Sequence, residues 1–545
     1  MILGLDVGGT NIDAVLVANK KVIKFIKRPI TKLSNTIIEV IELITEDIDK
    51  SMINTINLST TISTNLITTN KLEEVLLITQ NGLGLLDKYF EVGNHNLFVS
   101  GYTDHRGQVL SNYEDNELIE IDNYIKKYKI KNIAINTKFS TRNNLTENKL
   151  YNYFKNDNNI ITLGSNLTSN LNFKRRISTS YLNAGILRPF NDFYDVILKS
   201  IKDSNLTTNI NILKADAGLI SLSEIQSKPV ESIASGPAAS LLGILAIMNL
   251  DNNKKYLNMD IGGTTTDIFF SYGENYLFEE KGLSINKLNT TVRSVYFKSI
   301  PLGGDTAIIF EDNTFKFKYE RLGNPVALGG SYLTITDCLN VLGGSVGDIN
   351  LSISKLSELA LGTKFDNKSL SLYLINKFIN EIKTVVFEEL VKINSKPIYT
   401  VKEVINLDKF NINEINIIGG PSKDLSKYFK EVFNLKVNYP KEYLYTNALG
   451  AAVSKMSNIL SLYADTDQGY KVIPELNLRS KVNSSYNLNE AIKDLSKYFN
   501  EDYEIILKDE FNMVDGYYTK GKNIRLVIQT KPGVSFKLGD NNEEK

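Results

Sequence analysis

The stretch Asp6-Val7-Gly8-Gly9-Thr10-Asn11-Ile12-Asp13 returns as Asp260-Ile261-Gly262-Gly263-Thr264-Thr265-Thr266-Asp267. Each copy follows a short apolar run, at 2–5 and at 256–259. An apolar strand that ends in a carboxylate, turns through two glycines and a hydroxyl, and leaves in a second run reads as a β-hairpin. Such a turn suits phosphate, because a glycine N–H can approach an anion closely and the threonine adds a hydroxyl donor. The leading carboxylate can hold a hydrated Mg²⁺. One copy alone reads as a plain glycine turn. Two copies, with both aspartates at one fixed offset, predict two related lobes facing one nucleotide.

Composition narrows the function classes. Lys+Arg and Asp+Glu both number 62, so the net charge is zero and no electrostatic footprint for nucleic acid or an anionic membrane is present. A chain of 545 residues has room for several domains and large cores. Its single cysteine, Cys338, rules out an intrachain disulfide framework and reads as a small buried side chain. The two histidines, His95 and His105, have no cysteine neighbours, so a dedicated zinc or iron site is not expected. The start carries a glycine-loop strand and none of the features of a signal peptide, which predicts a cytoplasmic setting. The longest apolar stretch, 238–250, is too short to span a bilayer and reads as a buried helix, so no membrane partner is expected.

Along the chain, strand-like runs at 2–6, 14–18 and 22–26 precede a helix whose Ile37, Ile41, Ile44 and Ile48 share one face. Strands at 53–58, 75–79 and 132–136 alternate with a helix at 117–129, which indicates an α/β lobe over 1–170. A long helix at 179–202 opens a second lobe, 171–460, holding the second glycine motif, strands near 295–319, a helix at 370–393 and a strand at 413–418 that ends in Gly419-Gly420. A small α+β region, 461–545, carries a helix at 488–498 and strands at 503–507 and 524–529. Its polar end, 539–545, is expected to fray. No G-x-x-x-x-G-K-[ST] run is present, so a P-loop does not account for the glycines.

Two strand-ending aspartates beside glycine turns, followed by a strand-Gly-Gly-helix unit, resemble the actin, sugar-kinase and heat-shock chaperone superfamily. The fold implied is a duplicated, two-lobed, ribonuclease H-like α/β architecture with a nucleotide cleft. The intervening motifs narrow the resemblance. Ser59-Thr60-Thr61-Ile62-Ser63-Thr64-Asn65, Asp104-His105-Arg106-Gly107, Asp216-Ala217-Gly218-Leu219, Ser235-Gly236-Pro237-Ala238-Ala239-Ser240 and Asn447-Ala448-Leu449-Gly450-Ala451-Ala452 are similar to the hydantoinase/oxoprolinase family, A-type subunit. So are the runs at 176–189, 303–305 and 334–343; the region after 460 has no comparable signature.

The resemblance implies ATP and Mg²⁺ as cofactors and a cyclic amide such as 5-oxoproline or a hydantoin as substrate. Transfer of the γ-phosphoryl to the amide oxygen turns a poor electrophile into one with a leaving group, which needs positioning and charge neutralisation rather than a nucleophilic pair. Gly8, Gly9, Thr10 and Asn11 would form the first phosphate loop, and Gly262, Gly263, Thr264 and Thr265 the second. Gly419 and Gly420 would flank the adenosine. Asp6 and Asp260 are the candidate catalytic carboxylates and Mg²⁺ partners, directly or through water. For Asp13 and Asp267 a structural bond to the turn stands beside a site role. Thr60, Thr61, Thr64 and Asn65 are candidates for the substrate side of the cleft. Gly303-Gly304-Asp305 reads as a turn, with the phosphates as its alternative neighbour. Lys174, Arg175 and Arg176 read as a solvated basic edge, with an anionic substrate as the alternative.

At Thr146-Glu147, many family members carry His-Glu, so specificity for 5-oxoproline does not transfer directly. The B-type domain of fused family members is not found in this sequence, which implies a separate B-type partner subunit. A ketone carboxylase subunit and a non-catalytic ATP switch are the competing readings.

Overall fold

The computed structural model describes residues 1–279, 281–361, 363–395, 409–500, 502–515 and 518–539; the end segment 540–545, expected to fray, lies outside them. The first glycine motif is the turn between antiparallel strands β1 (Ile2–Val7) and β2 (Asn11–Ala18), in which Asp6 stands opposite Asp13. A hydrogen bond from the Gly8 N–H to the Asn11 carbonyl, 3.0 Å, closes it. Strand β3 (Lys21–Pro29) pairs with β2, and helix α1 (Leu33–Ile44) buries Ile37, Val40, Ile41 and Ile44 in the core beneath them. Strand β4 (Thr55–Thr60) runs parallel to β1 on its other side and leads into α2 (Ile62–Thr68).

A second unit follows with its own core. Strands β5 (Val75–Gln80), β6 (His95–Phe98), β7 (Asn132–Thr137) and β8 (Ile160–Leu163) form a parallel sheet in the order β8-β7-β5-β6, with α3 (Asp115–Tyr128) and α4 (Leu145–Phe154) among their connections. The long helix α5 (Phe173–Asp203) returns the chain to the first sheet. There β9 (Asn209–Leu213) pairs in parallel with β4, and β10 (Gly218–Ser221) pairs antiparallel with β9. The first sheet therefore draws strands from both sides of the boundary expected at residue 170, and residues 61–208 are inserted between two of its adjacent strands.

The second lobe repeats the plan. After α6 (Ser235–Ile247), strands β11 (Lys255–Ile261) and β12 (Thr266–Tyr272) form a hairpin in which Asp260 stands opposite Asp267. The Gly262 N–H donates to the Thr265 carbonyl at 2.9 Å, as Gly8 does to Asn11. Helix α7 (Asn367–Asn394) packs into the core of this lobe. Strand β13 (Glu414–Ile418) lies parallel to β11 as β4 lies to β1, and β14 (Lys436–Asn438) continues the sheet after α8 (Ser422–Phe433).

Helix α9 (Thr446–Val453) joins the lobes by packing on α6 and β1. Glycines make this approach possible. A Cβ at Gly450 would stand 1.9 Å from the Ala239 carbonyl oxygen, one at Gly243 would stand 2.1 Å from that of Thr446, and one at Gly4 2.2 Å from that of Ala448.

The last region is α+β. Strand β15 (Lys455–Met456) extends the first sheet at β10. Strands β16 (Ile459–Asp465), β17 (Tyr470–Ile473), β18 (Leu478–Lys481), β19 (Tyr503–Asp515) and β20 (Tyr518–Thr530) form an antiparallel sheet in the order β18-β17-β16-β20-β19, covered by α10 (Leu488–Ser496). The hairpin β19–β20 is much longer than the strands read at 503–507 and 524–529. Its outer half exposes Phe511, Val514 and Tyr518, so burial leaves no alternating pattern there to read. Arg106 ties the inserted unit to this region through a two-pronged contact with buried Asp465, at 2.8 and 3.0 Å, and a bond to Asp467. Among the described residues no helix is long and apolar enough to cross a membrane.

Candidate active site

The two glycine turns present their exposed tips, Gly9-Thr10 and Gly263-Thr264-Thr265, at the ends of equivalent hairpins. Asp6 and Asp260 sit half-buried at the bases of the turns. The Ser59 hydroxyl donates to Asp6 Oδ1 at 2.6 Å from the adjacent strand, where Ser59 is the register partner of Asp6. Ser240 performs the same service for Asp260, donating to Oδ2 at 2.7 Å, and the Asn447 side-chain amide lies 3.0 Å from that hydroxyl. Asp13 is held by Lys27 at 2.9 Å.

The electrostatics tie the lobes together. Burial pushes the Asp6 carboxyl up to about 7, against the Ser59 hydrogen bond, and the charges of Asp13 and Asp260 push it the same way. Burial raises Asp13 too, opposed by Lys27, with Asp260 adding to the rise. Burial raises Asp260 against its bonds from Ser240 and Asn447. Asp267 is lifted by burial to about 7, opposed by Ser299 and reinforced by Asp260. Like charges from both hairpins thus share one space with Lys27 as the cation that acts on Asp6, Asp13 and Asp260.

Such a carboxylate set suits a hard cation. Among the described residues no three His, Cys, Asp or Glu side chains form a group able to hold a metal ion. Mg²⁺ keeps most of its waters and takes, beside phosphate oxygens, one or two carboxylates, which Asp6 and Asp260 would supply. The first turn fits a phosphate cradle as well, since a Cβ at Gly9 would meet only the Asn65 amide, at 3.6 Å; a Cβ at Gly420 would meet nothing within 4 Å.

Gly419 has φ +93°, and a Cβ there would stand 2.2 Å from the Ile261 carbonyl oxygen and 2.7 Å from Asp260 Oδ1, so this glycine abuts the second loop. Gly303-Gly304-Asp305 is more than a turn: Gly304 N–H donates to the Gly262 carbonyl at 2.9 Å and Asp305 N–H to that of Gly263 at 2.6 Å. Arg321 pairs with Asp305 at 2.9 Å.

The hydroxyl cluster after β4 divides. Asn65 and Thr61 bond to each other at 3.2 Å beside Gly9. Thr60 is buried, and Ser235 Oγ both accepts from its N–H and donates to its carbonyl. The Thr64 hydroxyl accepts from Ala234 N–H at 2.8 Å. Thr60 and Thr64 therefore fasten the start of α6. Of the basic edge at 174–176, Lys174 donates to the Glu91 carbonyl in an exposed contact, while Arg175 and Arg176 are not solvated. Arg176 is buried and donates to the Asn170 and Thr137 carbonyls, and Arg175 donates to those of Gly282 and Thr290. Glu147 is buried and accepts from Thr137 and Ser165 N–H groups, a structural use. Ser59, Ser240, Asn447 and Lys27 were not singled out as site residues. Ser240 and Asn447 lie within the motif stretches already quoted, but no spacing pairs either with Asp260.

Residues 176–459 match the hydantoinase/oxoprolinase family, and residues 2–156 match its N-terminal region. The chain belongs to the hydantoinase/oxoprolinase family. A protein of Methanocaldococcus jannaschii without a described function is 25% identical over 287 residues, 48% of this chain and 42% of that protein. The 5-oxoprolinase 1 of Arabidopsis thaliana is 24% identical over 200 residues, 35% of this chain and 15% of that protein. The chain thus spans less than half the length of these curated relatives. An acetone carboxylase in its nucleotide-free structure matches with a TM-score of 0.71 at 14% identity, covering 100% of this chain and 89% of that one. The ATP-dependent caprolactamase of Pseudomonas jessenii matches with a TM-score of 0.68 at 14% identity, covering 98% and 88%. At that identity the likeness is one of fold: a two-lobed, duplicated α/β architecture.

Proposed function

We propose that this hydantoinase/oxoprolinase member is an ATP-dependent subunit that activates a small cyclic amide by phosphorylating its carbonyl oxygen, with a separate B-type subunit completing hydrolysis. The observation that carries this reading is the meeting of two equivalent glycine turns, with Asp260 of one lobe acting electrostatically on Asp6 and Asp13 of the other. The family's 5-oxoprolinase and the caprolactamase of like fold supply the class of amide.

In this reading the turn N–H groups and Thr10, Thr264 and Thr265 would bind phosphate oxygens, and Asp6 and Asp260 would hold Mg²⁺, directly or through water. When bound, Mg²⁺ neutralises phosphate charge. The amide oxygen attacks the γ-phosphorus; the new O–P bond forms as the bond to the bridging oxygen breaks and ADP leaves. The amide N–H proton passes to a carboxylate at the base of the turns. Water then adds to the activated carbon, the C–N bond breaks with a proton to nitrogen, and a second water cleaves the acyl phosphate so formed to release phosphate. The sum is ATP, cyclic amide and two waters giving ADP, phosphate and the ring-opened acid.

The test is phosphate release from Mg·ATP by the purified chain, with and without a candidate B-type subunit, across hydantoins, 5-oxoproline, small lactams, and ketones with bicarbonate. Stimulation by a cyclic amide that disappears in Asp260→Asn supports the reading. Stimulation confined to a ketone with bicarbonate, or tight ATP binding that no compound converts to turnover, overturns it.

A further inference from the structure

The two lobes repeat the hairpin but not its cation. In the first lobe Asp13 stands in register with Lys27 on β3, and Lys27 Nζ bonds Asp13 Oδ2 at 2.9 Å. In the second, the strand Phe297–Ile300 lies against β12 as β3 lies against β2, and the place of Lys27 falls to Ser299, the register partner of Asp267. A serine brings no charge. A triphosphate carries more negative charge than one Mg²⁺ cancels, and sites that handle it supply Lys or Arg beside the metal.

Arg321 brings a cation to the second turn by another route. Its Nη2 donates to Asp305 Oδ2 at 2.9 Å and to Asn324 Oδ1 at 3.1 Å. The same carboxylate oxygen lies against the turn: a Cβ built on Gly263 would stand 2.8 Å from Asp305 Oδ2. One carboxylate therefore separates the guanidinium from the exposed tip Gly263-Thr264-Thr265.

Both sides of this arrangement are anchored. The Gly304 carbonyl accepts from the Thr336 N–H at 2.8 Å and from the Thr336 hydroxyl at 2.9 Å, which holds the backbone before Asp305 in place beside the turn. Downstream of Arg321, buried Asp337 accepts from the Val326 N–H at 3.0 Å and from the Ala327 N–H at 2.9 Å. Arg321 and Asn324 lie on the short span between these anchors.

The guanidinium keeps donors to spare. Both of its bonds leave from Nη2, and among the described residues Nε and Nη1 make none. The Arg321 side chain is 37% exposed against 17% for Asp305, so the arginine is the accessible member of the pair. An ion pair this open to water contributes little to folding. A planar fork with unused N–H groups beside a glycine turn suits phosphate oxygens, which it can take two at a time.

We propose that Arg321 is the phosphate-binding cation of the second lobe, the counterpart of Lys27 delivered from a different part of the chain, with Asp305 and Asn324 aiming it at the phosphate oxygens of ATP. The assignment rests on the functional reading above for its nucleotide.

Two measurements on the full chain test it. The first is calorimetric titration with Mg·ATP of the native chain, Arg321→Gln and Arg321→Lys, beside the melting temperature of each without nucleotide. Arg321→Gln is expected to weaken Mg·ATP about tenfold or more, as loss of a charge-assisted hydrogen bond predicts. Arg321→Lys, which keeps the charge and loses the fork, should weaken it less, and melting should not change. The second is labelling of the native chain with phenylglyoxal, read by mass spectrometry: Mg·ATP should slow modification of Arg321 and leave that of Arg188, an exposed arginine paired with Glu73, unchanged. Undiminished affinity in Arg321→Gln, labelling of Arg321 that Mg·ATP does not slow, or a weakened affinity matched by a lowered melting temperature overturns the assignment. Amide-stimulated phosphate release without either effect overturns it and leaves the functional reading standing. Both effects without any stimulated release do the reverse, and a chain that binds no Mg·ATP overturns both.

Discussion

Ser59 Oγ stands 2.6 Å from Asp6 Oδ1, and the two residues are register partners on adjacent parallel strands. The hydroxyl fixes the carboxylate's rotamer at the base of the first glycine turn and opposes its rise in pKa. Ser59→Ala is expected to lower amide-dependent phosphate release about 10- to 100-fold, the usual loss for a partner that orients a reacting or metal-binding group. ATP affinity should hold, and the pH profile should shift upward as Asp6 loses the bond that favours its charged form. Asp6→Asn should abolish turnover. A Ser59→Ala enzyme with an unmoved pH profile would mean that the serine only packs.

The glycine crossing of α6 and α9 makes a separate prediction about stability. A methyl at Gly450 meets the Ala239 carbonyl oxygen at 1.9 Å, on backbone that cannot yield without parting the helices. Gly450→Ala should cost about 1–3 kcal/mol or more and lower the melting temperature. Gly420→Ala, with nothing within 4 Å, should leave melting unchanged. Thermal unfolding of the two side by side checks both.

Much of this architecture is legible from eight residues. The Asp-x-Gly-Gly-Thr-x-x-Asp turn is local, so its repetition discloses the duplication, and both pairs of aspartates do face each other across their hairpins. What sequence cannot disclose is return over distance. Strand β9 pairs with β4 across 154 residues in the Thr55–Asn209 contact, and nothing local to either strand names the other. The same holds for Ser240 and Asn447 at Asp260. Thr60 and Thr64, candidates for the substrate side of the cleft, also bond the start of α6, and a threonine-rich run looks alike in sequence whether it faces a cleft or fastens a helix.

Cys338 lies at 0% exposure, and burial, with Asp337 adding to it, pushes its thiol far above the ordinary range. The thiolate is the reactive form. The native chain should therefore resist a chromogenic disulfide reagent and react with one equivalent only as it unfolds. Rapid stoichiometric labelling without loss of structure would contradict this burial.

Glu414 sets an acid-side limit on the second lobe. Burial pushes its carboxyl up, but hydrogen bonds from Lys254, Asn438 and Lys436 outweigh that and hold it at about 2, below its ordinary 4.5. A carboxyl depressed in the folded state contributes stability that is fully present above its unfolded pKa and is lost as pH falls through the folded one. The window is thus about pH 4.5 down to 2. Because both lysines are solvent-exposed, the contribution is about 1 kcal/mol rather than the full linkage value. Glu414→Gln should lower stability at neutral pH by that amount and flatten the acid limb, as denaturant titrations at stepped pH would register.

Arg106 and Asp465 decide whether the inserted unit and the C-terminal sheet move as one. Asp465 is fully buried, and Arg106 grips both of its oxygens while also bonding Asp467. Removing the arginine alone leaves a desolvated carboxylate, a loss of about 3–5 kcal/mol for a buried pair, less here because Arg106 keeps partial contact with water. Removing the charge on both sides should recover part of that loss, because the remaining cost is packing. Arg106→Met should therefore destabilise more than Arg106→Met with Asp465→Asn, and limited proteolysis should open the junction of the two units first in the single variant. Equal destabilisation in both would reduce the contact to shape and remove the reason for treating these units as electrostatically locked.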